Sequence, residues 1–355
     1  MDNNPIAQVE KRLKRDNFNL FDGAIASVVF ILVQFLFLIV LTNLLKLTGV
    51  SAVILNIAQI LIEGSFFLSA YLVAAFRNVE FVSASRMRKK VDTKTILLSI
   101  VLAIVIIFAY AKLAELFIYF IQSLGFKYNS SYIDVSNVFM YILALFIHCA
   151  VPAVTEEVLF RGVICSGLEK VNKHVAVFVS AFIFMLMHGT PLQTVHQFIL
   201  GIILGYIFVY THNIWLTIII HFVNNAFSVT AMFIQTMLDP SLAVPETGVV
   251  GFTPVEGNVL IINIVYGIIA AAVGSVVVVF LIKAIKNRND QINGDKKQEN
   301  QESQDNISIE QKVENSEDVK KQDKKEKIIS LVVFLLSIGY LVGEWVSALI
   351  KGFLL

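Results

Sequence analysis

Thr155-Glu156-Glu157-Val158-Leu159-Phe160-Arg161 sets three charges inside the apolar run 138–168, which otherwise reads as a membrane-crossing helix. A charge at the bilayer centre costs about 2.5–3.5 kcal/mol on insertion scales, so such residues face a bundle interior or a wet cavity and usually serve a function. Helical spacing separates the three. Glu157 and Arg161 are four apart with the acid first, the favourable order for an ion pair on one face. Glu156 lies roughly 100° further round the axis and has no local partner. The spacing therefore predicts that Arg161 holds Glu157 and leaves Glu156 for chemistry. The alternative is a structural polar network inside a transporter or channel bundle.

Outward from this stretch the chain stays apolar. Hydrophobic residues make up 57% of it and charged residues 15%, which excludes an ordinary soluble domain and predicts an all-α, polytopic transmembrane bundle. Runs long enough to cross fall near 23–46, 51–76, 95–124, 138–168, 174–188, 193–211, 214–237, 259–285 and 328–350. That gives eight or nine membrane segments, the fifth being short. The apolar run that follows Asp22 has no small-residue cleavage site and reads as a first span, not a removed signal. Cys149 and Cys165 are sixteen residues apart on one helix, about 24 Å along its axis, so they cannot bridge each other.

Charge orients the bundle. The clusters Lys11 to Arg15, Arg77 to Lys94, and Lys170 with Lys173, together with the Lys-rich linker, fall on one side when the spans alternate, and the positive-inside rule makes that side cytoplasmic. Residues 238–258 contain Asp239, Glu246 and Glu256 but no Lys or Arg, as an outer loop should. The expected organisation is a cytoplasmic segment 1–22, N-terminal spans over 23–137, a core at 138–237, an outer loop and span at 238–285, a linker at 286–327 and a last span at 328–355. Half of the linker is charged, with ten Lys/Arg and eleven Asp/Glu in 42 residues, so it is expected to be disordered and the last span to be a tethered helix, peripheral or partner-binding. Nothing in this balance suggests nucleic acid as a partner.

Further polar residues interrupt the spans. Glu63, Lys112 and Glu115 either form a buried ion cluster or, for the last two, snorkel to an interface. Five of the six histidines lie in or beside spans. His221 precedes Asn225 by four residues, so imidazole and amide share a face and could donate to one oxygen. His188 follows Phe184 by one turn and precedes Gly189-Thr190-Pro191, which stops the helix. Counted from the cytoplasmic ends at 1.5 Å per residue, Glu156, His188 and His221 lie about 18, 22 and 10 Å deep, so a common pocket requires tilted helices or a funnel. Gly201 and Gly205 form a small-xxx-small pattern that permits close helix approach.

Three motifs in order, Glu156-Glu157-xxx-Arg161, Phe184-xxx-His188 and His221-xxx-Asn225, resemble those of the CAAX-protease and bacteriocin-processing (Abi) family of intramembrane proteases, over roughly Val138 to Met237. The resemblance implies a helical bundle of the cell membrane that hydrolyses a peptide bond of a peptide or membrane-protein substrate. Glu156 would be the base that activates water, supported by Glu157 and Arg161. His188 would hold that water or a metal, and His221 with Asn225 would stabilise the oxyanion. The cofactor is either none or a divalent metal such as zinc on Glu156, His188 and His221; the chain has no His-Glu-x-x-His. Eukaryotic relatives clip the last three residues after a prenylated Cys, whereas many bacterial relatives look suited to small membrane peptides or to bacteriocin immunity. The competing class is a non-catalytic immunity or transport-accessory protein that binds a peptide or partner. A solute transporter is disfavoured because no internal repeat is visible.

Overall fold

A computed structural model describes residues 14–48, 52–129, 133–239, 249–294 and 317–355. Eight of its helices are long and apolar enough to cross a membrane, so the chain is a multi-pass membrane protein. In chain order the helices are α1 (Leu20–Thr48), α2 (Ala52–Phe76), α3 (Thr93–Ser123), α4 (Val138–Glu169), α5 (Lys173–Met187), α6 (Thr194–Thr211), α7 (Ile214–Leu238), α8 (Gly257–Asn293) and α9 (Glu317–Leu354). At 15 residues α5 is about 22 Å long, too short for a hydrocarbon core of about 30 Å. Among the described residues the β structure is a two-residue ladder, pairing Tyr128 with Val250 and Asn129 with Val249, and an isolated bridge between Arg15 and Val79.

Local sequence sets the ends of these helices. The side chains of Asp92, Asn137, Asn172 and Asn213 accept from backbone N–H groups in the first turns of α3, α4, α5 and α7. Helix α5 stops because Gly189 adopts φ +59°, a conformation open to glycine, and Pro191 follows it. The chain then reverses through the turn Pro191–Gln193 into α6. The two arms of this hairpin pack backbone to backbone. A Cβ added at Gly201 would stand 3.0 Å from the Ala181 Cα, and one at Gly205 would stand 3.0 Å from Val177.

Charged residues gather at one end of the bundle. Asp22 accepts from Arg15 at 2.9 Å and from Arg77 at 2.7 Å, and Arg77 also lies 3.6 Å from Glu326. Arg86 pairs with Glu169, and Arg288 pairs with Asp92 at 2.5 Å. The loops expected on the cytoplasmic side thus meet on one face. At the other end Lys127 N–H donates to the Gly352 carbonyl at 2.8 Å.

Two expectations about the C-terminal third need correction. The flanking helices run further than their apolar stretches, α8 to Asn293 and α9 from Glu317, because i,i+4 pairs such as Lys286–Asp290 and Lys327–Asp323, each at 2.6 Å, support polar helix beyond the membrane. The disorder expected over 286–327 therefore does not hold for those helical ends; residues 295–316 lie outside the described part of the chain. Nor is the last helix peripheral. Ser27 and Ser337 hydrogen-bond at 2.9 Å between α1 and α9, Phe334 and Leu341 are buried, and the Trp345 indole donates to the Thr194 hydroxyl at 3.0 Å. Polar cross-links and close packing hold helices together in lipid, where apolar faces alone give little preference.

Candidate active site

Helix α4 supplies the acidic pair, and it is not a uniform α-helix. Phe146–Ala150 and Val158–Cys165 wind as π-helix on either side of the α-turns Val151–Glu157. Pro152 explains the first interruption: it has no N–H to give and its ring crowds the carbonyl four residues back, at His148. Such π-turns recur at functional sites. Here the broken stretch turns Glu156 and Glu157 into the bundle, 6% and 0% exposed.

The two glutamates have different surroundings. Arg161 donates through Nη1 to Glu157 Oε1 at 2.9 Å, and both side chains are fully buried. The same guanidinium donates through Nη2 to the Gly201 carbonyl at 3.3 Å and lies 4.5 Å from the centroid of the Phe184 ring. The close α5–α6 packing at Gly201 brings that carbonyl within reach. A second donor, His221 Nδ1–H, reaches Glu157 Oε1 at 2.9 Å. Glu156 Oε2 is 3.8 Å from His221 Nε2 and has no hydrogen-bond partner among the described residues. Glu157 thus holds Arg161 and His221 through Oε1, its Oε2 having no partner among the described residues, whereas Glu156 lines a cavity and makes no hydrogen bond through Oε2.

That cavity has a volume of about 750 Å³, and Glu156, His188, His196, Asn224 and Asn225 are among the residues that line it. His188 donates from Nδ1 to the Phe184 carbonyl at 2.8 Å, which fixes its tautomer and leaves Nε2 as an acceptor. Phe184 meets the rings of both His188 and His221 edge-on, at centroid distances of 4.9 and 5.8 Å, and so spaces the two imidazoles.

The depth conflict read from the sequence has two sources. Asn213, the cap of α7, is completely buried beneath the Lys90 carbonyl and Asn289, so α7 starts below the basic rim of the bundle and His221 lies deeper than counting suggests. The π-turns of α4 also rise less per residue than α-turns. His221 does not act beside Asn225 as expected. Its ring turns to Glu157 and lies behind Glu156, whereas Asn225 lines the cavity. The trio Glu156, His188 and His221 does not form a ligand set, and among the described residues no group of three His, Cys, Asp or Glu side chains is arranged to hold a metal ion.

Three other residues belong to this site. Asn224 Nδ2–H donates to His196 Nε2 at 3.0 Å, joining α6 and α7 across the cavity wall. Glu63 of α2 is buried, accepting from Gln59 at 2.9 Å and from Thr155, the residue before Glu156, at 3.1 Å. Lys112 and Glu115 form their own pair at 2.5 Å and leave Glu63 outside any ion cluster. A histidine two residues into the reversed arm of a hairpin, and an amide beside a motif Asn, were the available signals for His196 and Asn224. Glu63 was marked as a charge within a span, but nothing in the sequence pointed to its partner Thr155, 92 residues away.

Residues 137–227 match the family described as type II CAAX prenyl endopeptidase Rce1-like. The resemblance carried by the three motifs is therefore shown over this segment, as that of an intramembrane CAAX-protease-like family of endopeptidases. No curated protein and no solved structure matches the chain.

Proposed function

We propose that this chain is an endopeptidase of the cell membrane that cuts a peptide or membrane-protein substrate with water activated by Glu156. The observation that supports this most is the asymmetry of the acidic pair. Glu157 receives both Arg161 and His221 on Oε1, while Glu156 has neither donor within hydrogen-bond distance and lines the cavity.

In this reading water sits between the Glu156 carboxylate and the free acceptor Nε2 of His188. Glu156 takes a proton as the water oxygen bonds to the scissile carbonyl carbon. The amide of Asn225 donates to the oxyanion that forms, inside a site of restricted water where such donors act strongly. Glu156 then returns its proton to the departing amine nitrogen as the carbon–nitrogen bond breaks. His221, held by Glu157, faces Glu156 with its Nε2 and steadies the carboxylate through both changes of charge. Arg161 holds Glu157 in place.

Comparative peptidomics of cells carrying wild-type protein or Glu156→Gln tests this. The substitution keeps shape and removes the proton acceptor, so peptides cleaved only by the wild type are expected. Full activity in Glu156→Gln would transfer the protein to the class of non-catalytic immunity or transport-accessory factors.

A further inference from the structure

The cavity has a direction. Beyond Glu156 it runs past His148 and Gln59 to Tyr119 and Gln122. Tyr119 packs on Phe252 at 5.1 Å and Gln122 donates to the Gly251 carbonyl at 3.2 Å, so that end reaches the segment opposite the basic face. Its other end is shut. Behind Glu156 stand Glu157, Arg161 and His221, at most 1% exposed, and beneath them Asn213 is sealed under the Lys90 carbonyl. A soluble group can therefore reach Glu156 from the outer side and not from the cytoplasm.

The lining also has a sign. Glu63, Glu115 and Glu156 contribute to it, and among the described residues no Lys or Arg does. Glu63 is 4% exposed and its two hydrogen bonds come from neutral groups, Gln59 and Thr155, so this carboxylate meets the cavity without a cation of its own. Unspent acceptors reinforce the point. Glu156 Oε2, Gln197 Oε1 and Asn224 Oδ1 have no hydrogen-bond partner among the described residues, on side chains more than nine-tenths buried. Unpaired acceptors and buried carboxylate, set in an otherwise mostly apolar lining, favour a ligand that donates hydrogen bonds and carries positive charge.

We propose that the cavity takes a cationic peptide segment from the outer side of the membrane, with a Lys or Arg side chain seated against Glu63 and a second one near Glu115 at the mouth. This rests on the proteolytic reading of the same site and names the substrate class for it. Glu115 is 64% exposed and already paired with Lys112, so it serves as a first contact, while Glu63 provides the stronger, less screened one.

The test uses the full chain in phosphatidylcholine membranes, which removes attraction of basic peptides to anionic lipid. Three fluorescent decapeptides differ only in whether two central positions are Lys/Arg, Gln or Glu. Binding to the Glu156→Gln protein, followed by anisotropy, is expected to be about tenfold tighter for the basic peptide than for the Gln peptide. Glu63→Gln and Glu115→Gln in that background should each narrow the ratio, Glu63→Gln more. Equal affinities for the three peptides, or no binding, would overturn the proposal. Sidedness is read on oriented vesicles: binding to right-side-out vesicles supports it, and binding confined to inverted ones overturns it. Cleavage by the wild type is scored separately. Selective binding without cleavage would leave the cationic site standing and sink the proteolytic reading. Cleavage of all three peptides at equal kcat/KM, lost in Glu156→Gln, would do the reverse.

Discussion

Replacing Glu157 by glutamine leaves the Arg161 guanidinium fully buried without its counter-charge. Removing one partner of such a pair typically costs ~3–5 kcal/mol, because the surviving ion has lost its water and its partner together. Glutamine keeps the volume and a carbonyl that can still accept from His221 Nδ1–H, so the loss isolates the charge. The rescue follows from the remaining contacts of Arg161. In Glu157→Gln with Arg161→Met the stranded cation is gone. What remains lost is the contact with Phe184, worth about 0.5–2 kcal/mol, and the hydrogen bond to the Gly201 carbonyl, worth about 1 kcal/mol. The double variant should therefore recover roughly half of the loss. Equilibrium unfolding by a denaturing detergent titrated into mild micelles gives the free energies, and Glu156→Gln serves as the control that should unfold close to wild type. A Glu157→Gln protein within about 0.5 kcal/mol of wild type, or a double variant less stable than the single, would refute the assignment of Glu157 as the anchor of Arg161.

Other outcomes follow from the packing and the charges. Because α9 is built into the bundle, deletion of residues 317–355 should lower protein level and activity together, and Trp345→Phe, which removes the bond to Thr194, should cost about 0.5–1.5 kcal/mol in the same unfolding assay. The Arg288 guanidinium beside Asp92, with help from Thr95, holds the Asp92 carboxyl well below the usual carboxylate range. The unfolded chain therefore takes up that proton first, near pH 3.9, so the contribution is whole above about pH 4 and is lost as pH falls through the folded value; Asp92→Asn should flatten this acid limb of the unfolding curve. In intact cells a membrane-impermeant thiol reagent should label Glu256→Cys and miss Lys324→Cys, and the opposite pattern would invert the orientation.

The span architecture was legible because lipid-crossing helices must be long and apolar, and the Glu157–Arg161 contact because four residues bring two side chains onto one face even through a widened turn. Pro152 was the sign of the break in α4 that hydropathy smooths over. The orientation of His221 was not legible: spacing pointed its ring along α7 toward Asn225, and tertiary contact with Glu157, 64 residues away, decides otherwise. The docking of α9 was hidden for a different reason. A helix surrounded by lipid is apolar all round, so its sequence does not mark the face that meets protein, and the cross-links are single residues such as Ser337 and Trp345.

The contacts of α9 also put a clock on the molecule. Helix α9 docks on α1, through Ser27 and Ser337, and braces through Trp345 the hairpin arm that bears His196. Contacts between residues 310 apart cannot form until the helices between them have been made, so those helices wait in the bilayer with one flank open. On the proteolytic reading proposed above, a site braced by so late a contact would be assembled only after the helices that line it, which would spare the nascent chain, itself a membrane peptide within reach.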